Sequence, residues 1–407
     1  MDRTERQKLG ISRWIKCGGN GVLNWSTGVG KTRGAMMLIE SMYKKNSHLR
    51  VLIGVPTEVL KEQWIRLCAQ NNLFTVCKVE IFNTIVKHFY DVDLFVVDEC
   101  DTTATPVLIN IYQTVKYKYI LGLTATWHRL DGKEVLLEPY MQICDVITVP
   151  EAVENNWLSQ YRNYKVLINV DLTEYNQYDQ KFHQLFSIFD NDFKLAMDLL
   201  KSPAKVKIWS KKKGIDEKLL RGYLATWMRM LRKRKEFVLR HPKKFEIADK
   251  ILDARKDKKC ITFCATIKDS EHFKDRGYLL HSKKKKTENR RIIEEFNNGG
   301  PSVLSTNKSA DAGVDIKGLS VGIILSGDSS SRRFVQRTGR CIRLEDNKLA
   351  EMFTLVIAGT NDNRWFENAN NGQQYITLTE DDLDIVLNGG EIHSRPKTSV
   401  ANLENRF

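Results

Sequence analysis

Short apolar runs alternate with helix-like stretches in two parts of the chain, from about Val22 to Val149 and from about Phe245 to Ala358. Runs that are apolar throughout and rich in β-branched residues are typical of parallel strands that helices cover on both faces. The first part contains the runs Val22–Trp25, Val51–Val55, Val76–Phe82, Leu94–Val97, Tyr119–Leu123 and Val146–Val149. The second part contains the runs Cys260–Phe263, Tyr278–Leu280, Val303–Ser305, Val321–Leu325 and Met352–Ile357. The pattern predicts an α/β protein with two parallel-sheet domains.

The remaining segments differ in composition from these two parts. Residues 151–244 are first rich in Tyr and Asp, then rich in Lys, and end in a helical pattern. We expect a mainly helical connector at 151–244 between an α/β domain at 1–150 and a second one at 245–360. Residues 361–407 contain Asn-Asn-Gly and Asn-Gly-Gly breaks and a polar end, so we expect a small C-terminal appendage there.

The helix predicted from Asp216 to Arg240 has two different faces. Its apolar residues recur at helical spacing and predict a face that packs on a domain: Leu220, Leu224, Trp227, Leu231 and Val238. Four of its five arginines fall within an opposite arc: Arg221, Arg229, Arg232 and Arg240. This basic stripe runs beside a phosphate backbone in one interpretation, and simply faces solvent in the other.

Length, composition and charge restrict the class of protein. The chain has 407 residues, of which 42% are hydrophobic, and this suffices for the cores of two or three domains. No apolar run approaches the roughly 20 residues of a bilayer span, and the charged N-terminus does not resemble a signal peptide. The eight cysteines lack metal-ligand or disulfide spacing and predict reduced thiols. We therefore expect a soluble, cytoplasmic protein without a membrane partner.

The net charge of +14 favours a polyanionic partner, of which nucleic acid is one class.

A candidate phosphate-binding loop, Ser26-Thr27-Gly28-Val-Gly30-Lys31-Thr32, lies between an apolar run and a helical pattern. Gly28 and Gly30 would let backbone N–H groups turn toward phosphate oxygens, and Lys31 would add a positive charge at the outer phosphates. The Thr32 hydroxyl would bind Mg²⁺. Trp25 occupies the place of the usual first glycine, and the alternative is a glycine-rich turn that only caps a helix.

An apolar run ends in adjacent acids at Asp98-Glu99-Cys100-Asp101. A buried strand has little reason to end in three carboxylates unless a cation or a reacting group lies there. Asp98 would hold Mg²⁺, and Glu99 would polarise the attacking water of a phosphoryl transfer. A solvated strand end is the alternative.

Further motifs follow in a fixed order along the chain. Upstream of the acids lie Val55-Pro56-Thr57 with Gln63-Trp64, and Ile81-Phe-Asn-Thr84. Downstream lie Gly122-Leu-Thr124-Ala-Thr126 and Arg129-Leu-Asp131-Gly132. The second part contains Ile261-Thr-Phe-Cys-Ala-Thr266, Ser305-Thr306 through Gly313-Val-Asp315, and Gln336-Arg-Thr-Gly-Arg340-Cys-Ile-Arg343. In this order the motifs resemble those of superfamily 2 helicases and translocases, in particular the branch of restriction-enzyme motor subunits, excision-repair helicases and phage branch-migration helicases.

This resemblance implies two tandem RecA-like domains with ATP and Mg²⁺ between them. Arg340 and Arg343, three residues apart on an expected helix, would face the γ-phosphate from the second domain as arginine fingers. The resemblance also implies nucleotide contacts from Gln7, Thr27, Gly313, Asp315 and Gln336, with Gln7 at the adenine. Thr124 and Thr126 would couple hydrolysis to movement.

The resemblance places a nucleic-acid strand across both domains, held mainly through its phosphates. The residues that would contact it are Pro56, Thr57, Thr84, Thr266 and Thr306. Such contacts position a backbone without reading its sequence. Each threonine has an alternative role as a helix cap or turn residue.

The sequence favours an ATP-dependent motor that translocates on DNA and unwinds or remodels it, with replication or repair proteins as possible partners. A compact motor of this kind suits a phage or mobile element in a bacterial host cytoplasm. The alternatives are an RNA helicase and a nucleotide-gated DNA clamp. Intact Glu99, Arg340 and Arg343 argue against the clamp, whereas the DNA preference depends on the Arg129-Leu-Asp131-Gly132 run and the poor match to RNA-helicase motifs.

Overall fold

The computed structural model describes residues 1–129, 131–307, 316–326, 337–339, 349–370 and 373–392. Within these residues, thirteen strands form a six-stranded and a seven-stranded sheet, and every strand pair is parallel. The described cysteines are free thiols. None of the described helices is both long and apolar enough to cross a bilayer. The α/β class with two parallel sheets is confirmed.

The first sheet has the strand order β3-β2-β4-β5-β1-β6. Its strands are β1 (Asn20–Trp25), β2 (Val51–Val55), β3 (Cys77–Ile81), β4 (Tyr90–Asp98), β5 (Val115–Thr124) and β6 (Ile143–Ile147). The helices of this part are α1 (Arg3–Lys16), α2 (Lys31–Lys45), α3 (Glu58–Gln70), α4 (Phe82–Ile85), α5 (Ile111–Thr114) and α6 (Val149–Glu154). Each of the six apolar runs predicted here overlaps a strand.

Helices cover both faces of this sheet, and the strand β4 shows why the runs are apolar throughout. Its residues Leu94 and Val96 belong to one hydrophobic core, whereas Phe95 and Val97 belong to another. Successive side chains of a strand point to opposite faces, so a strand between two cores has no polar face. The same packing leaves only the strand ends for chemistry.

The second sheet has the strand order β13-β7-β12-β11-β8-β10-β9. Its strands are β7 (Gln160–Ile168), β8 (Lys259–Phe263), β9 (Gly277–Leu280), β10 (Val303–Thr306), β11 (Leu319–Ile324), β12 (Leu349–Ile357) and β13 (Ile376–Leu378). The helices around it are α11 (Pro242–Ala254), α12 (Ile267–Ser270), α13 (Lys286–Asn298), α14 (Asn361–Asn370) and α15 (Glu380–Leu387). All five apolar runs predicted here are strands.

Two strands of the second sheet lie outside the predicted boundaries 245 and 360. The structure places β7, expected in the connector, and β13, expected in the appendage, side by side in this sheet. Polar residues obscure β7 in the sequence, but they are satisfied in the fold: Lys165 Nζ lies 3.0 Å from Glu367 Oε1, and Asn163 Nδ2 donates to Asn370 Oδ1 at 3.0 Å. The predicted second domain, 245–360, is therefore too short, because it excludes the strands β7 and β13.

Four helices form a separate helical unit between β7 and α11: α7 (Thr173–Phe186), α8 (Phe193–Lys201), α9 (Pro203–Lys213) and α10 (Glu217–Arg240). Trp227 lies at the centre of its hydrophobic core, fully buried and stacked against Phe182 and Phe186. Because β7 precedes this unit and belongs to the second sheet, the unit is an insertion into the second domain. Asp216 caps α10 at the predicted start of that helix.

Candidate nucleotide and nucleic-acid site

The candidate phosphate loop connects β1 to the first turn of α2, at the carboxyl edge of the first sheet. Gly28 and Gly30 have φ angles of 93° and 95°, in the left-handed region that favours glycine. A Cβ at Gly30 would lie 2.5 Å from the Nε2 atom of Gln7. The loop therefore has the conformation and the helix N-terminus that an anion site requires.

The basic and hydroxyl groups of this loop follow at the start of α2. Lys31 Nζ donates to the Trp25 carbonyl oxygen at 3.0 Å, which holds its charge at the base of the loop. Thr32 lies in the same first turn and is half-buried. Both side chains start where the backbone N–H groups of the helix are unpaired.

Helix α1 supports the loop from behind. Gln7 is fully buried and donates from Nε2 to the Val29 carbonyl oxygen at 2.7 Å. Arg3 donates to the carbonyl oxygens of Gly28 and Val29. The contact of Gln7 with adenine stays a prediction, because the hydrogen bond that the structure provides is to the loop.

The acids follow β4 at the same edge. Asp98 is 5% exposed and accepts a hydrogen bond from the Trp64 indole Nε1 at 2.8 Å. Burial, and then the neighbouring Glu99 carboxylate, raises the pKa of Asp98 to about 6. Glu99 itself has a left-handed φ of 55°, a conformation that costs energy in a residue with a side chain and is frequent at functional sites.

A divalent cation fits this edge. Among the described residues, no basic side chain forms an ion pair with the buried Asp98, although Glu99 lies beside it. Carboxylate and hydroxyl oxygens such as those of Asp98 and Thr32 are ligands that Mg²⁺ prefers. A cation held there would offset the negative charge of both acids and of a nucleotide.

Asp101 connects the acidic segment to the next motif. Its carboxylate accepts hydrogen bonds from the hydroxyls of Thr124, at 2.9 Å, and Thr126, at 3.4 Å. Its carbonyl oxygen accepts from Arg129 Nη1 at 2.7 Å, and Arg129 also pairs with Asp131. This network, buried at Asp101 and Thr124, joins the acids to the segment predicted to couple hydrolysis to movement.

The second domain reaches the phosphate loop at Gly339. A Cβ at Gly339 would lie 2.5 Å from the Cβ atom of Thr27, so only glycine fits at this contact. Nearby, the Arg337 guanidinium lies 4.8 Å from the centroid of the Phe263 ring. The predicted nucleotide-contacting residues Gly313, Asp315, Gln336, Arg340 and Arg343 lie outside the described residues.

The predicted nucleic-acid contacts lie at or just after the carboxyl ends of strands in the two sheets. Thr57 is half-buried and caps α3, and the exposed Thr266 caps α12. Pro56 and Thr84 are half-buried. Thr306 is 0% exposed and its hydroxyl has no hydrogen-bond partner among the described residues, so its contact with a nucleic-acid strand stays a prediction that this buried position does not support.

Sequence reasoning missed three residues of this site. Arg3, Trp64 and Arg129 contact the loop, the predicted metal-binding acid Asp98 and the acidic segment, respectively. Trp64 and Arg129 belong to recognised motifs, but motif order does not tell which atom a side chain contacts. Arg3 stands one helical turn before Gln7, on the same face of α1.

A phosphate loop, an adjacent acid pair and a second parallel-sheet domain that contacts the loop define a two-domain ATPase motor. The sequence profile of the family "Type III restriction enzyme, res subunit" matches residues 2–87, and that of "Helicase conserved C-terminal domain" matches residues 243–345. The chain is an ATP-hydrolysing helicase, and it resembles the restriction and repair branches of superfamily 2.

Relatives along most of the chain agree with this class. The DNA 3'-5' translocase XPB2 of Sulfurisphaera tokodaii is 25% identical over 386 residues, covering 89% of this chain and 83% of that protein. Putative helicase 22 of Sulfolobus islandicus filamentous virus is 22% identical over 367 residues, covering 81% of this chain and 59% of that protein. S. cerevisiae Dbp5 bound to RNA and ADP BeF3 has the same fold, with a TM-score of 0.58, 14% identity, and coverage of 94% of this chain and 91% of that one.

Proposed function

We propose that this protein hydrolyses ATP to translocate on DNA and to unwind or remodel it. The observation that carries the proposal is the contact of Gly339 with Thr27, because it brings the segment just before Arg340 to the phosphate loop. Arginine fingers act only when a second domain reaches the γ-phosphate. Hydrolysis would therefore depend on domain closure, which a bound strand can promote.

The catalytic roles follow from the geometry of the first sheet's edge. Lys31 and the N-terminus of α2 would stabilise the phosphates, and Glu99 would accept a proton from the attacking water. Asp98 and Thr32 would hold Mg²⁺, which supplies positive charge at the β- and γ-phosphates. Arg340 and Arg343 would complete the site from the second domain.

The transmission of hydrolysis to movement would use the Asp101 network. Asp101 is two residues from Glu99 and contacts both Thr124 and Thr126. A shift of the acidic segment on loss of the γ-phosphate would move these threonines and Arg129 together, because all three side chains hydrogen-bond to Asp101.

DNA is the preferred substrate for two reasons. A relative that matches 89% of this chain is named a DNA 3'-5' translocase, whereas the RNA-bound neighbour shares only the fold. In addition, the DNA preference depends on the Arg129-Leu-Asp131-Gly132 run. This run contacts the acidic segment through Arg129. A role in genome replication or repair in a host cytoplasm is part of the proposal, because a viral putative helicase is also similar.

The experiment is ATP turnover measured with single-stranded, duplex and forked DNA and with RNA of equal length, with Lys31→Ala as the inactive control. We expect DNA to stimulate turnover more than RNA does, and Lys31→Ala to hydrolyse no ATP with any of them. If RNA stimulates turnover more strongly than DNA does, the substrate is RNA and the DNA proposal is wrong. ATP-dependent DNA binding without turnover in the wild type would favour the clamp.

A further inference from the structure

Trp64 connects the core of the first domain to the metal-binding acid. Its side chain is 1% exposed, and its indole Nε1 donates to Asp98 Oδ2 at 2.8 Å. The other carboxylate oxygen, Oδ1, accepts a longer bond of 3.1 Å from the Glu99 amide. An indole donor that is fixed by packing holds the carboxylate in one orientation, because a buried ring has no freedom to rotate with it.

The helix that carries Trp64 also contacts the loop at Thr57 and the second domain. Helix α3 starts at its N-cap Thr57, in the loop expected to contact a nucleic-acid strand. One turn later, Glu62 pairs with Arg290 of α13 in the second domain, at 2.8 Å. A single 13-residue helix thus joins the strand-contacting loop, the second domain and Asp98.

We propose that Trp64 is a positioning residue, which orients Asp98 toward Mg²⁺ and transmits strand binding and domain closure to it through α3. The role of the strand rests on the proposed function. When Thr57 gains a partner, or when the contact between Glu62 and Arg290 forms or breaks, α3 moves as a rigid body, and the indole moves the Asp98 carboxylate with it. Groups that hydrogen-bond a metal ligand from behind commonly change metal affinity or activity about 10–100-fold when removed.

The test compares Trp64→Phe with Trp14→Phe. Both replacements keep an aromatic ring in the core of the first domain and remove one buried indole hydrogen bond. The acceptor is Asp98 for Trp64, but the Ile120 carbonyl oxygen for Trp14, at 3.0 Å. A purely structural role predicts the same result for both variants.

The readouts are the Mg²⁺ concentration that half-saturates the ADP complex, measured by calorimetry, and the factor by which DNA stimulates ATP turnover. In Trp64→Phe we expect the half-saturating Mg²⁺ concentration to rise about tenfold and the stimulation to fall about fivefold or more. ADP affinity without Mg²⁺ should stay unchanged. Trp14→Phe should lose a similar amount of thermal stability and keep both readouts.

Equal Mg²⁺ affinity in the two variants would overturn the positioning role. Weaker Mg²⁺ binding in Trp64→Phe together with no DNA stimulation of the wild type would support positioning, but would overturn the DNA motor. The unmodified protein gives a measurement that does not depend on either variant folding. Its Trp64 indole ¹H–¹⁵N resonance should shift when Mg²⁺ is added to the ADP complex, and its Trp14 resonance should not; an unmoved Trp64 resonance would contradict the proposal.

Discussion

The carboxyl edges of the two sheets are alike in architecture and different in chemistry. At the edge of the first sheet, Asp98 and Lys31 form no ion pair with a described residue. At the edge of the second, Lys244 Nζ is fully buried and binds Asp362 Oδ2 at 2.6 Å and the Leu325 carbonyl oxygen at 2.9 Å. Thr262 and Ser305 likewise hydrogen-bond each other at 2.8 Å.

This difference separates a reactive edge from a structural one. Oppositely charged groups that pair with each other stabilise a fold, whereas buried charged groups that form no ion pair gain further stabilisation from a ligand of opposite charge. We therefore assign the proposed nucleotide chemistry to the first edge. The second domain approaches this edge where Gly339 contacts Thr27.

The largest effect is expected from the replacement of Arg340 or Arg343. It tests whether the second domain completes the ATP site at the first edge. Arg340→Ala or Arg343→Ala should slow ATP hydrolysis about 10³-fold or more, as loss of an arginine finger does. Circular dichroism and thermal melting should match the wild type. If each single variant hydrolyses ATP normally, the first edge is complete without the second domain.

Replacement of Glu99 tests the reactive edge itself. Glu99→Gln should hydrolyse ATP roughly 10²–10⁴-fold more slowly, because the proton acceptor is lost. ATP·Mg²⁺ affinity, measured by equilibrium binding, should remain within a few-fold because Asp98 and Thr32 are intact. A parallel loss of binding and turnover would contradict the separate roles of Asp98 and Glu99.

Replacement of Lys244 tests the structural edge. Lys244→Ala leaves Asp362 buried without its cation and should lower the free energy of unfolding by about 3–5 kcal/mol, measured by chemical denaturation. Turnover per folded molecule should stay unchanged. The neighbouring Lys243, whose ion pairs with Glu246 and Glu380 are 3.5 Å long and partly exposed, is the matched control; Lys243→Ala should cost less than about 1 kcal/mol. Equal costs for the two variants would remove the distinction between the edges.

The smallest effect concerns the basic stripe of α10. The structure reduces the number of its arginines that are candidates for phosphate contact. Arg221 pairs with Glu217, and Arg240 with Glu236 and Asp269, whereas Arg229 and Arg232 are exposed and form no ion pair with a described residue. If both contact phosphates, reversing them to Glu should flatten the log–log salt dependence of DNA binding by about two units and weaken DNA stimulation.

The control for this stripe reverses the same number of charges elsewhere. Lys116 and Lys118 are exposed on β5, where Lys116 pairs with Asp91. Reversing both to Glu should leave the salt slope unchanged. An equal slope change in the two double variants would show that net charge, and not the stripe, sets the affinity.

The sequence predicts those parts of the fold in which a strand is apolar on both faces. All eleven apolar runs overlap strands, and in central strands such as β4 the side chains face two cores. The strand β7 escapes this rule because Asn163 and Lys165 need partners from α14, more than 200 residues away. No local pattern reveals such a partner.

The candidate site shows the same division. The sequence predicts the loop, the acids and the order of motifs, because backbone conformation and residue type determine their chemistry. The bond from Trp64 to Asp98 and the loop contact of Gln7 depend on how α3 and α1 pack against the first sheet. The burial of Thr306 is equally invisible, because it depends on the packing around β10.

The central claim is that ATP hydrolysis at the first edge drives movement along DNA. The most direct measurement is ATP-driven displacement of a triplex-forming oligonucleotide from duplex DNA, compared between the wild type and Glu99→Gln. The account predicts displacement by the wild type with ATP, and none by Glu99→Gln or with a non-hydrolysable analogue. DNA-stimulated hydrolysis by the wild type without displacement would contradict it.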